Sequence, residues 1–378
     1  MRIGLVGYDG PGRLLQAPLI ASIPGAQLVG VVTSSPAPGA ELSRAYPGVT
    51  CHADVAGLIA AGVDSLVIAT PLGERVAQVR EALLRGLPVV CAAPLARTLA
   101  EAEELLALAE RRGVPLCIHQ PRRWDSDLLT LARLLREKRL GRVRLFESRL
   151  QLTDLAAAGL GTEAGLLLEL GSHLVDQALL LFGPVERVYA EAQFPRGDPA
   201  REREFFLSLR HRSGVVSHLS GSGLQRCPQR LRVVGERGVY SVDGLDGQAT
   251  ALRQGRTPRS EKASWGAEEH QRWGWLSVGE ERSRVPSERG RWDLFYEGWL
   301  AALTQGAPLP VTPRETLACQ AILEAARQSA RTGESLAVES LAETAERPRA
   351  GAQGRARRSS ANVELNFYFA LVVELNFQ

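Results

Sequence analysis

The sequence predicts an α/β chain in two parts: a parallel sheet covered on both faces, then an α+β domain on a mostly antiparallel open sheet. Three observations predict it. Short apolar runs alternate with amphipathic stretches through the first third of the chain. From Arg142 the rhythm changes to strand-like runs joined by glycine-containing turns, and one long helical stretch, 164–182, interrupts those runs.

The elements follow in order. Arg2-Ile3-Gly4-Leu5-Val6 is short and apolar, as a buried strand must be. Its turn, Gly7-Tyr8-Asp9-Gly10-Pro11-Gly12, leads into a helix opening at Arg13. A second strand, 27–32, stops at Thr33-Ser34-Ser35-Pro36; a helix near 40–45 precedes a third strand, 65–69, ended by Thr70-Pro71. Helix 74–85, strand 88–91, helix 99–112 and strand 115–118 complete the alternation, which requires a parallel sheet with helices on both sides. Strands are then expected at 143–152, 185–192, 204–211, 215–220, 230–234 and 238–242, with helices 292–304 and 313–332 closing the globular part. The chain divides into 1–122, 123–335 and a tail, 336–378. In that tail 347–360 is rich in Arg, Ala, Gly and Ser and reads as mobile. Val363-Glu364-Leu365-Asn366-Phe367 then recurs as Val373-Glu374-Leu375-Asn376-Phe377, with the strand period: a strand added to a sheet edge, or a read-through tail.

At 378 residues, 45% hydrophobic and 23% charged, the chain can bury a large core. A net charge of +3, with no basic block interleaved with aromatics, argues against nucleic acid as a partner. Cys51, Cys91, Cys117, Cys227 and Cys319 are scattered and odd in number, which favours reduced thiols in a cytoplasmic protein over disulfides or a metal site. No apolar run is long enough for a bilayer, so no membrane is expected.

Strand, glycine turn and helix at the N-terminus fit a dinucleotide-binding fingerprint, in which phosphate oxygens meet the free N–H groups of a helix start. Gly7, Gly10 and Gly12 are present, but Asp9 stands at the second glycine position. A carboxylate there could cap the helix and compete with cofactor phosphates. Thr33, Ser34 and Ser35 occupy the place after the second strand where an NAD-preferring protein carries an acid. They tolerate a 2′-phosphate better than an acid would, but no arginine follows them. The cofactor is therefore expected to be NADP or NAD with only a weak preference for NADP, and its binding to be weak or absent if Asp9 competes.

Thr70-Pro71, then Val90-Cys91-Ala92-Ala93-Pro94-Leu95-Ala96, then Arg122-Arg123-Trp124-Asp125, then Glu169-Leu170-Gly171-Ser172-His173-Leu174-Val175-Asp176 come in the order and spacing of a known family. Over about 1–335 the chain resembles the glucose–fructose oxidoreductase and inositol dehydrogenase (Gfo/Idh/MocA) family. The resemblance implies a Rossmann domain, then a domain whose open sheet makes a homo-oligomer contact. It also implies hydride transfer between a nicotinamide and a sugar or polyol carbon. Thr70, Pro71, Ala92 and Pro94 fall on cofactor-binding positions. Ala92 and Ala93 fall where the family has Glu-Lys, and Glu169 falls where it has the Asp of an Asp-x-x-x-His pair.

An alanine can neither donate a proton nor hold charge against a developing alkoxide. His173 keeps a suitable unperturbed pKa, and Glu169, one helical turn earlier, could orient it. The bland reading of His173 is a histidine bonded in the domain interface. Arg122 and Arg123 form an anion clamp or an exposed solvated pair, with Asp176 a further turn along as a substrate contact. A metal on Glu169, His173 and Asp176 is not expected, since one helix rarely supplies a whole site. Trp265, Trp273, Trp275 and Trp292 line a sugar-accepting cleft, fill a core or face a partner. Two functions stay open: an oxidoreductase using His173 and Glu169 without the lysine, or a silent relative that binds a ligand or partner.

Overall fold

A computed structural model describes residues 1–34, 39–152, 164–195, 201–223 and 229–338. Ser35, Cys227 and the repeated segment of the tail lie outside the described residues. The first sheet is parallel throughout, made of β1 (Arg2–Val6), β2 (Gln27–Val32), β3 (Thr50–His52), β4 (Ser65–Ile68), β5 (Val89–Ala92) and β6 (Leu116–His119). Its order, β3-β2-β1-β4-β5-β6, reverses direction beside β1, which makes the topological switch point where α/β sheets open a ligand crevice. β4 is wholly buried, whereas β3 lies at the edge with Thr50 and Cys51 exposed, so it has no apolar signature to read in the sequence.

One face of this sheet packs against helices Leu72–Leu84 and Leu99–Arg112 through Val79, Leu83, Leu105 and their neighbours. The other face receives helix Asp293–Gln305 from the far end of the chain, with Trp299 Nε1 donating to Ser65 Oγ at 3.2 Å. Helix Pro313–Thr332 starts at a capping box on Thr312 and Glu315 and packs against both Leu99–Arg112 and the second domain.

The second sheet contains β7 (Val143–Gln151), β8 (Val185–Gln193), β9 (Glu204–His211), β10 (Val216–Ser222), β11 (Gln229–Gly235), β12 (Val239–Asp243), β13 (Gly274–Val278), β14 (Glu281–Val285) and β15 (Leu336–Ala337). Its order is β14-β13-β12-β11-β7-β10-β9-β8-β15, antiparallel except where β7 meets β10. The single helix expected over 164–182 is two, Leu166–Glu169 and Gly171–Phe182. Leu170 and Gly171 make the break, and the Ser172 hydroxyl donates to the carbonyl of Glu169 at 3.1 Å.

Candidate active-site cleft

The ends of β1, β4, β5 and β6 open on a cleft of about 380 Å³, walled opposite by Glu169, His173 and the 245–253 segment of the second domain. The glycine turn fits there for steric reasons. Gly7 has φ +89°, and a Cβ on it would lie 2.9 Å from the backbone of Ala69. A Cβ on Gly12 would stand 1.8 Å from the carbonyl oxygen of Gly7. Gly10 is also left-handed, at φ +37°.

Asp9 does not cap the helix as expected. Its backbone carbonyl takes the N–H groups of Gly12 and Arg13, at 2.8 and 3.3 Å. Its carboxylate turns to the end of β2, accepting from Thr33 Oγ1 at 2.7 Å and from the Ser34 N–H and hydroxyl at 3.1 and 3.2 Å. The turn is already tied to that strand, since the N–H groups of Gly7 and Tyr8 both donate to Val32 O, at 2.9 and 2.8 Å. The carboxylate thus lies against the end of β2 while still forming part of the cleft wall.

Thr70, Pro71, Ala92, Ala93 and Pro94 share the cleft wall with Asp9 and Gly10. Arg75, which sequence reasoning passed over, holds the turns after β4 and β5 together. Buried beneath them, it donates to Thr70 O at 2.7 Å, Ala92 O at 3.1 Å and Pro94 O at 2.5 Å. One arginine inside an amphipathic helix gives no sequence signal that it points inward.

Across the cleft, Gln120 sets the state of His173. The Gln120 Nε2 donates to Ser172 O at 3.3 Å, which leaves Oε1 to accept from His173 Nδ1 at 2.6 Å. The proton of a neutral His173 therefore sits on Nδ1 and its lone pair on Nε2. Burial and the Arg122 guanidinium hold the imidazole well below its ordinary pKa, so the ring is neutral at pH 7. Gln120, not Glu169, is the partner that fixes Nδ1; Glu169 lines the same cleft.

The two arginines part company. Arg122 lines the cleft, bonded to Asp125 Oδ2 at 3.1 Å and 6.0 Å from the Trp292 ring. Arg123 is neither solvated nor on the cleft. It makes a bidentate pair with Asp176, at 2.8 and 2.6 Å, and reaches Glu315 at 3.0 Å. The structure thus places Arg123 and Asp176 as a buried clamp that fastens the helix carrying His173 to the turn after β6. Of the tryptophans, Trp292 is on the cleft, Trp265 is buried, and Trp275 lies between Arg282 and Arg284. Asp246 is a further wall residue without a sequence signal; burial pushes its carboxyl up to about 6. Among the described residues no group of His, Cys, Asp and Glu is arranged for a metal, and no helix is long and apolar enough to cross a membrane.

Two family models cover this architecture. Residues 1–120 match the oxidoreductase-family NAD-binding Rossmann fold, and residues 132–338 match the C-terminal alpha/beta domain of the same family. The chain belongs to the Gfo/Idh/MocA oxidoreductase family. It is 27% identical over 349 residues to scyllo-inositol 2-dehydrogenase (NADP(+)) IolW of Bacillus subtilis, covering 90% of this chain and 96% of the relative. With the uncharacterized oxidoreductase YdgJ of Escherichia coli it shares 33% identity, covering 88% and 96%. D-apiose dehydrogenase of Paraburkholderia graminis is 27% identical, at 89% of both chains. The solved structure of Bacillus subtilis YvaA superposes with a TM-score of 0.81 at 28% identity, covering 89% of this chain and 99% of that one. Membership in this family carries an NAD(P)-binding Rossmann domain. The retained Gly7 and Gly12, and the withdrawal of the Asp9 side chain toward β2, fit that cofactor.

Proposed function

We propose that the chain oxidises or reduces a sugar- or polyol-like substrate with a nicotinamide cofactor, and that it does so weakly because Ala93 replaces the family's lysine. One observation carries the reading: Gln120 fixes His173 with its Nε2 lone pair available on a cleft at the carboxyl ends of a parallel sheet. The glycine turn and Thr70-Pro71 would hold the cofactor, which supplies hydride exchange when bound. The chain's own work is to place the substrate hydroxyl and move its proton. His173 Nε2 accepts that proton as the carbonyl forms and returns it in reduction. Arg122, Glu169 and Trp292 are the polar and aromatic contacts for the substrate.

Asp9 bears on which nicotinamide is used. The relative IolW is named for NADP(+). Here Thr33 and Ser34 turn donors to a carboxylate at the strand end where the adenosine ribose is read, and its charge repels a 2′-phosphate. NADH is therefore the preferred cofactor. We further propose a cytoplasmic homo-oligomer joined through the outer face of the second sheet, where the Phe206 and His218 rings lie tilted 5.5 Å apart on neighbouring strands.

The methyl groups of Ala92 and Ala93 on the cleft wall favour a second reading, a silent relative that binds a ligand without turning it over. Purified protein incubated with NADH or NADPH and a panel of keto-sugars and keto-polyols separates the two. Nicotinamide consumed in equal amount with product supports the enzyme. No consumption above buffer, with any member, establishes the silent reading.

A further inference from the structure

The end of β6 carries a polar atom that the reading above leaves without a task. His119 is 5% exposed and forms part of the cleft wall. Its ring stands edge-on to Phe295, centroids 4.6 Å apart, and lies beside Tyr296 at 5.5 Å. The Tyr296 hydroxyl donates to Gln16 Oε1, and Gln16 Nε2 in turn donates to His119 Nδ1 at 3.0 Å. That direction of bonding puts the histidine's proton on Nε2, and Nε2 has no partner in the protein. Native structures rarely leave a buried N–H donor unmade, and the exceptions gather where a ligand completes the bond.

The position of this donor matters as much as its lack of an acceptor. β5 and β6 pair in parallel with Ala92 opposite His119. His119 therefore stands on the strand next to the alanine pair that falls on the Glu-Lys positions, and it lines the same cleft as His173. Burial holds His119 neutral, so it can donate a hydrogen bond without exchanging its proton.

We infer that His119 Nε2–H donates to the reacting oxygen of the substrate and takes over the polarising half of the missing lysine's work. The inference rests on the oxidoreductase reading above. In oxidation, the C–H bond gives its hydride to the nicotinamide and the O–H bond gives its proton to His173 Nε2. The carbonyl forms with His119 bonded to the same oxygen and unchanged covalently. Reduction runs the same steps backward. The division of labour is complementary: Gln16 leaves His119 a donor, and Gln120 leaves His173 an acceptor.

The test uses the full chain in two measurements. Nitrogen-15 NMR of histidine-labelled protein should show His119 protonated at Nε2 and bare at Nδ1; the opposite tautomer overturns the inference. Kinetics with NADH and the keto-sugar panel should show His119→Phe lowering kcat/KM on the order of 100-fold, with the NADH Kd unchanged. His119→Gln, whose amide nitrogen reaches near the Nε2 position, should recover a good part of that loss. An active wild type with an equally active His119→Phe sinks this inference alone. A wild type inactive on every panel member sinks the reading beneath it, and this role with it. Should His119→Phe fail to fold, the tautomer and His119→Gln decide.

Discussion

The two ends of the cleft carry the residues at which the family resemblance implies a departure, Asp9 at one and Ala92, Ala93 and Glu169 at the other, and the two ends accommodate them differently. At the cofactor end Asp9 brings a charge to a place meant for a glycine. Donors already present in Thr33 and Ser34 draw it aside, and the turn keeps its shape on Gly7 and Gly12. At the reaction end Ala93 offers no ammonium, and His173 stands on the wall as the proposed proton acceptor. An added polar group can be satisfied by its neighbours within a fold, whereas a removed one leaves only what happened to stand nearby. What stands nearby is a pair of histidines held in opposite tautomers.

That contrast can be broken at several points, the largest first. The reaction end depends on the buried Arg123–Asp176 pair. Asp176→Ala removes the bidentate partner and leaves the guanidinium only Glu315 and the Pro310 carbonyl, and should lower the unfolding free energy by about 3 kcal/mol in urea titration. An effect below about 1 kcal/mol would mean the clamp is not what holds the His173 helix in place. Next, Ala93→Lys restores the ammonium and should raise kcat on the order of 100-fold in the keto-sugar assay; no gain would show that the alanine is not what limits this end.

His119 makes the third test through stability. Its pKa falls from 6.5 to about 3 on folding because burial excludes the charged ring. The folded state thus binds a proton less readily than the unfolded chain. This contribution is complete above pH 6.5 and is lost as the pH falls toward 3. At pH 5 the loss relative to pH 7 is about 2 kcal/mol, and His119→Phe should lack that component of the pH profile. The smallest effect belongs to the cofactor end. Asp9→Asn keeps the size and most hydrogen bonding, removes the charge, and should shift the NADPH-to-NADH ratio of Kd values by about tenfold toward NADPH.

Much of the molecule is legible in the sequence, and the gaps have physical causes. The strand-turn-helix at the N-terminus, the alternation that follows it and the helix 313–332 are written in apolar periods and caps; Thr312 and Glu315 mark the start of that last helix by residue type and spacing alone. The edge strand β3 and the break at Leu170 are not, since one lacks a buried face and the other turns on a glycine and a serine hydroxyl. Within the site, motif and spacing reach His173, Glu169, Arg122 and Asp9. They assign Arg123 and Asp176 to substrate because periodicity gives a helix face but not what another element brings to it. Arg75 and His119 escape them for the same reason: their importance lies in partners distant in the chain, the carbonyls of Ala92 and Pro94 for one and the side chain of Gln16 for the other.

The central claim is that this altered cleft still takes a nicotinamide, with Asp9 shaping the preference. Titrating the purified chain with NADH and with NADPH, followed by quenching of its tryptophan fluorescence, tests it most directly. The account predicts saturable binding of NADH and about tenfold weaker binding of NADPH. Binding of neither at millimolar cofactor, or tighter binding of NADPH, contradicts it.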